Sequence, residues 1–142
     1  MTRIQEVICG RNLFSAQVTQ SVAAVARHMS DLRVGAILVL ENDDLRGLFS
    51  ERDLMTRVVV ARRDPESTPV SAVMSTDLAT IEDSATLEEA LECMDRHNCR
   101  HLPVMRGGRV CGLLSMRDLM LVELDRKTEE LHHLRTYVHG SS

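Results

Sequence analysis

The feature that most constrains this chain is a nine-residue block that occurs twice. Gly47-Leu48-Phe49-Ser50-Glu51-Arg52-Asp53-Leu54-Met55 returns as Gly112-Leu113-Leu114-Ser115-Met116-Arg117-Asp118-Leu119-Met120, at a constant offset of 65 residues. Each copy reads as the end of an apolar strand, a serine, and the start of a helix. A serine hydroxyl at such a turn can cap the helix. An aspartate in the first turn favours the positive end of the helix dipole. The same turn can also present backbone N–H groups to a phosphate. A cap used twice explains one copy as well as a binding turn does. The retention of both Arg and Asp in the second copy favours binding.

The order of elements around the block is repeated too. Val22, Val25, Ala26 and Met29 fall at helical spacing and predict a helix over Thr19–Ser30. Leu87, Ala90, Leu91 and Met94 do the same over Ser84–Asp95, with Thr86 and Glu89 at capping-box spacing. Extended runs are expected at Leu13–Val18, Ala36–Leu40 and Leu45–Phe49, and again at Leu78–Ile81, His101–Met105 and Arg109–Leu114. Ser50 opens a helix to about Val60, and Ser115 opens the last one. Thr68-Pro69 reads as a cap with proline at the first helical position, so Val70–Met74 is a short helical turn mirroring Ile4–Ile8. From Ala16 and Ile81 to Met55 and Met120 the halves align without a gap.

The expectation is an α/β (α+β) chain of two β-α-β-β-α repeats, packed sheet to sheet with pseudo-twofold symmetry, and a long C-terminal helix. The repeats are placed at residues 1–62 and 70–124, with a linker at 63–69 and a helical extension at 125–142. One small sheet cannot bury its face alone, and a cleft between repeats is a usual ligand site.

Composition narrows the function. Apolar residues are 44% of the chain but aromatics only 2%, so the core is aliphatic and aromatic platforms for stacking nucleic-acid bases are missing. A net charge of −4 leaves no broad electrostatic footprint for DNA or RNA. No run approaches the roughly 18 apolar residues that span a membrane, and Met1–Arg11 lacks a signal-peptide core. Cys9, Cys93, Cys99 and Cys111 form no C-x-x-C pair and read as free thiols. These features point to a cytoplasmic protein.

The residues match a known pattern. The doubled Gly-hydrophobic-x-Ser-x-x-Asp motif, the strand Arg100-His101-Leu102-Pro103-Val104, and the segment Val70-Ser71-Ala72-Val73-Met74-Ser75 together resemble a tandem pair of CBS domains, named for cystathionine β-synthase. The resemblance runs from about Ile4 to Met120. It implies a regulatory module that binds an adenine nucleotide (AMP, ADP, ATP, NAD or S-adenosylmethionine) between the repeats. It implies that Asp53 and Asp118 accept from ribose hydroxyls, which suits an acceptor-only carboxylate facing a vicinal diol. Ser50, Ser115 and the following amides would face phosphate, with Arg52 or Arg117 adding charge-assisted contacts. Thr76, Asp77 and Leu78 would hold adenine at the second site, and Asn12, Leu13 and Phe14 at the first. The second site is expected to dominate. Arg100 and His101 precede Leu102-Pro103 there, whereas Gly35-Ala36-Ile37-Leu38 occupies the same place in the first repeat and only Arg33 lies near. Pro103 requires a position where its missing N–H breaks no ladder bond.

The same residues admit other readings. His97, Cys99 and His101 alternate but lack a fourth ligand, so no metal is expected. Ser115, His101 and Asp118 supply the residue types of a nucleophilic site, yet a cap and a ribose acceptor explain Asp118 better, so no catalysis is expected. A scaffold with a vestigial cleft is the main alternative to a sensor. On the last helix Leu124, Leu131, Leu134 and Val138 approach a coiled-coil seam, which favours a homodimer. His132-His133 reads as a wet face and 140–142 as a frayed end. An effector protein, acting in trans, is left unnamed.

Overall fold

The computed structural model of the chain describes residues 2–140, with side chains as far as Thr136. Each half carries a three-stranded mixed sheet. In the first, β1 (Ser15–Gln17) runs parallel to β2 (Ala36–Glu41), which pairs antiparallel with β3 (Asp44–Ser50). In the second, β4 (Ile81–Glu82), β5 (His101–Arg106) and β6 (Arg109–Ser115) repeat that order. A parallel pair needs a crossover. It is supplied by α2 (Val22–Leu32) and α4 (Leu87–His97). Ser21 caps α2 by accepting from the Ala24 N–H at 3.1 Å, and Thr86 caps α4 by accepting from Glu89 at 3.2 Å. Both helices stop at a residue in the left-handed region, Arg33 and Asn98. The hairpin tips also match: Asn42-Asp43 and Gly107-Gly108 all have positive φ, as a tight two-residue turn requires.

The two cores are not built from contiguous halves. The leading helix α1 (Ile4–Ile8) puts Ile4 and Ile8 into the second core, beside Leu87, Met94, Leu102 and Leu114. The 3₁₀ turn Val70–Ala72 puts Val70, and Val73 just after it, into the first core, beside Val22, Val25, Phe49 and Val58. Each leader crosses to the other half. Backbone bonds hold the exchange: Ile4 N–H to Ala85 O and Gln5 N–H to Asp83 O on one side, Val70 N–H to Gln20 O and Ser75 paired both ways with Leu48 on the other. Full burial of Ile4 and Val70 contributes about 1.5–3 kcal/mol each.

The glycine of each repeated block makes room for the crossing leader. A Cβ on Gly47 would lie 2.5 Å from Met74 Sδ and 2.8 Å from the Ser75 carbonyl oxygen. A Cβ on Gly112 would lie 3.0 Å from Ile8 Cδ1.

Several elements differ from the sequence expectation. Of the run Leu78–Ile81 only Ile81 enters a ladder, joined by Glu82 beyond it, and of Leu13–Val18 only Ser15–Gln17. The helix after Ser50 is one α turn, α3 (Glu51–Asp53), continuing as a π-helix over Leu54–Val59. Thr68 does not cap the turn at Val70; its carbonyl accepts from Val22 N–H, and the Pro65 carbonyl accepts from Ala23 N–H. The stretch before the second leader thus serves the first unbonded amides of α2. Leu91 is half exposed rather than core. Pro103 meets the requirement on its missing N–H, although it lies in the central strand. The Met105 carbonyl bonds toward β4, and strand alternation turns the Pro103 nitrogen the same way. There β4 has not yet begun, since it starts at Ile81 opposite Val104, so no ladder bond is lost.

The last helix, α5 (Met116–Gly140), is continuous. Arg126 ties it to Glu88 of α4 at 3.1 Å and to the Thr2 hydroxyl at 2.8 Å. The Val138 side chain and residues 141–142 lie outside the described residues.

The exchange sets two expectations. Deleting Thr2–Cys9 lowers hydrogen-exchange protection in α4 and β5 more than in α2 and β2, the reverse of a contiguous-repeat fold. In urea unfolding, Gly47→Ala costs about 1–3 kcal/mol and more than Gly112→Ala, because a backbone carbonyl cannot yield as the end of an isoleucine can.

Candidate functional site

The two blocks build the same local frame. In the second, Ser115 N–H and Ser115 Oγ both donate to Asp118 Oδ2, at 2.8 and 2.9 Å, while Asp118 N–H donates back to Ser115 Oγ at 3.2 Å. In the first, Ser50 and Asp53 make the same three bonds, at 3.1, 3.1 and 3.2 Å. The next amide is used as well: Met116 N–H bonds Arg100 O at 2.8 Å, and Glu51 N–H bonds Gly35 O at 3.0 Å.

Ser50 and Ser115, the serines expected to face phosphate, are bonded within their own turns. Each hydroxyl gives its proton to its own aspartate and accepts from that residue's amide. Of the first-turn N–H groups that could receive an anion, only those of Arg52 and Arg117 stay outside these bonds. The serines orient the carboxylates instead.

The second oxygen of each aspartate has a different fate. Asp53 is buried, and Ser75 of the crossing leader donates to its Oδ1 at 3.0 Å and its Oδ2 at 3.2 Å. Arg57 lies 3.6 Å from Oδ1 and is itself fixed by the Met74 carbonyl at 2.9 Å. Asp118 Oδ1 meets one group, the Arg11 guanidinium at 3.0 Å, whose side chain is 46% exposed. Val122 stands where Arg57 stands in the first copy. The cation of the second site therefore comes from the first leader, not from its own helix.

The predicted residues distribute around this frame. His101 is half-buried at the start of β5, within electrostatic reach of Asp118, Glu51 and Arg100. Arg100 and Arg117 are exposed, and Arg52 is exposed beside the closed first carboxylate. Thr76 and Asp77 are exposed and Leu78 half-buried, on a segment that leaves Asp53 at Ser75 and reaches β5 at Ile81. Asn12 and Leu13 are exposed on the matching segment, which leaves Asp118 at Arg11 and reaches β2 at Ser15. Pro103 is buried within β5. Arg33 ends α2, exposed. The Glu51 carboxylate lies 3.6 Å from where a Cβ on Gly35 would stand. An acid thus sits at the place that Arg100 marks in the second repeat.

Arg11 was missed because Gly10-Arg11-Asn12 reads only as a break between elements. The signal that could have found it is the absence of a cation at position 122, one turn after Asp118.

Two hollows lie away from both Ser–Asp turns. One, about 530 Å³, is lined by Val18, Thr19, Glu41, Arg46, Pro69, Ser71 and Met74. The other, about 110 Å³, lies between the hairpin tips at Asp43 and Gly108. Neither offers a carboxylate held as Asp118 is. His97 ends α4 and the chain turns at Asn98, so His97, Cys99 and His101 share no strand. Among the described residues no three His, Cys, Asp or Glu side chains group as metal ligands. Within that range no helix is long and apolar enough to cross a membrane.

Burial holds the His101 pKa below its ordinary value; Asp118 and Glu51 oppose this and Arg100 adds to it. The unfolded chain, with a histidine near the ordinary value of about 6.5, therefore takes up the proton first as pH falls. The contribution of His101 to stability is present above that pH and is lost below it. Urea titrations between pH 7 and pH 5 should show a shallower loss of stability in His101→Gln than in wild type.

Comparison with known proteins matches this architecture. The CBS-domain family model matches residues 4–60 and 70–125. The CBS domain-containing protein YhcV of Bacillus subtilis (strain 168) is 33% identical over 109 residues, covering 77% of each chain. The uncharacterized protein YlbB of the same organism is 30% identical over 87% of this chain and 83% of its own length. Among solved structures, a protein with CBS domains from Burkholderia ambifaria MC40-6 superposes with a TM-score of 0.79, at 31% identity over 84% of this chain and 91% of that one. On the doubled frame, the matched sheets and these relatives, the chain belongs to the CBS-domain family, as a tandem CBS pair.

Proposed function

We propose that this chain is a sensor of adenine nucleotides with no catalysis of its own, taking its ligand between the repeats at Asp118. The observation that carries this reading is the contrast between the two carboxylates. Asp53 has both oxygens engaged by short, fixed groups. Asp118 keeps one oxygen oriented by Ser115 and the other toward an exposed arginine. The guanidinium is the exposed partner of that pair, so a ribose diol can take its place at Oδ1. Arg100, Arg117 and His101 then surround the anionic end, with Leu78 on the apolar side. Signalling is also the provisional description attached to the Burkholderia structure. Ligand binding across two leaders that each touch both halves would shift their packing and so change a surface read by a partner.

The second part of the reading is self-association. Met120, Leu121, Leu124, Leu131 and Leu134 are exposed along α5, as are Met55 and Val59 on the π-helix and Val60 just after it. Met55 and Met120 are equivalent positions, as are Val59 and Leu124, so the pseudo-twofold presents a paired apolar face suited to a second copy.

Two measurements test this. By isothermal titration, Asp118→Ala abolishes binding of AMP or ATP, whereas Asp53→Ala lowers stability by about 1–3 kcal/mol in urea with a smaller effect on affinity. Equal affinity losses would remove the ranking of the two sites, and no heat with any adenosyl ligand would remove the sensor reading. In sedimentation velocity, Leu124→Glu turns a dimer into a monomer; an unchanged sedimentation coefficient would remove the interface.

A further inference from the structure

We propose that Arg11 is the specificity element of the second site: it neutralises Asp118 while the cleft is empty and moves to the ligand's anionic group when ribose takes its place. This rests on the assignment of Asp118 as ribose acceptor and adds the requirement that the ligand carry a negative charge.

The argument begins with what the frame has spent. Ser115 N–H, Ser115 Oγ and Asp118 N–H serve the cap, and Met116 N–H serves Arg100 O. An anion arriving there meets only the Arg117 amide, so side-chain cations must hold it. Arg11 already stands beside the carboxylate, 3.0 Å from Asp118 Oδ1. It makes no other ion pair among the described residues, in contrast to Arg57, which carbonyl bonds fix at the first site. Its backbone is well held. Arg11 N–H bonds Ile8 O at 3.1 Å, Gly10 turns at φ 76°, and Ile8 is buried in the second core. The anchor is fixed and the long side chain is free to reorient.

Charge then decides the ligand class. A diol that displaces Arg11 leaves a guanidinium in the cleft with no counter-charge, while Asp118 gives up an ionic partner for neutral donors. A neutral nucleoside offers nothing in return. A phosphate restores the lost pair by a charge-assisted bond, the stronger kind. The site therefore selects ribonucleotides over nucleosides through a residue of the first leader, not of the second repeat.

The test compares AMP with adenosine by isothermal titration on the full chain, wild type against Arg11→Ala. Arg11 is exposed, and an unchanged urea midpoint in the variant confirms an intact fold. Wild type should bind AMP at least tenfold more tightly than adenosine. In the variant, AMP should bind more weakly and adenosine equally well or better, so that the ratio falls about tenfold. Equal changes for both ligands, leaving the ratio as it was, overturn the role of Arg11 while Asp118 stands. A wild-type protein that binds neither ligand overturns the nucleotide reading and this proposal with it.

Discussion

Two glycines with no room for a side chain set the geometry of this molecule, because across each runs the leader of the other half. Gly47 receives Met74 and Ser75, and Gly112 receives Ile8. The close approach lets Ser75 pair with Leu48 of β3 and buries Ile4, Ile8, Val70 and Val73 in the opposite cores. The site follows from the same crossing. The residues that approach the two capping carboxylates from outside, Ser75 and Arg11, are the first that each leader delivers after its helical turn.

Much of this was legible in the sequence. The offset block, the helical spacing of Val22–Met29 and Leu87–Met94, and the hairpin turns gave two copies of one unit, because period and turn chemistry act locally. The capping role of Ser50 and Ser115 was legible for the same reason. What could not be read were pairings between distant segments. Nothing local in Ile4-Gln5-Glu6-Val7-Ile8 says which half it joins. Thr68-Pro69 looked like a cap, but its carbonyl was needed by α2, some 45 residues earlier. Nor does the sequence show that the Ser50 and Ser115 hydroxyls are bonded to their own aspartates, or that the next amide of each turn meets a carbonyl of another segment. The π-helix at Leu54–Val59 has no counterpart in the second copy despite the shared block. Its Arg57 bonds the Met74 carbonyl, a demand that Val122 does not make.

Duplication has thus produced a symmetric frame with unequal ends. At one end the carboxylate is filled by a serine and a pinned arginine, and Glu51 occupies the space that Gly35 leaves open. At the other, Arg100 and His101 stand beside a carboxylate whose partner is a single flexible side chain. The difference lies in a few substitutions: Gly35 against Arg100, Glu51 against Met116, Arg57 against Val122. Small domains spend most of their surface on folding. Here the first carboxylate is the more fully engaged of the two, and the second keeps a half-exposed arginine as its outer partner.

The hand-over of leaders also bears on how such a chain could arise. A single repeat standing alone would have a groove beside its glycine and a leader with nowhere of its own to lie. It could be whole only by trading that leader with a twin, as domain-swapped dimers do. Fusing the twins into one polypeptide keeps the trade but makes it internal, so the partner is never diluted away. It also frees the two formerly identical halves to diverge.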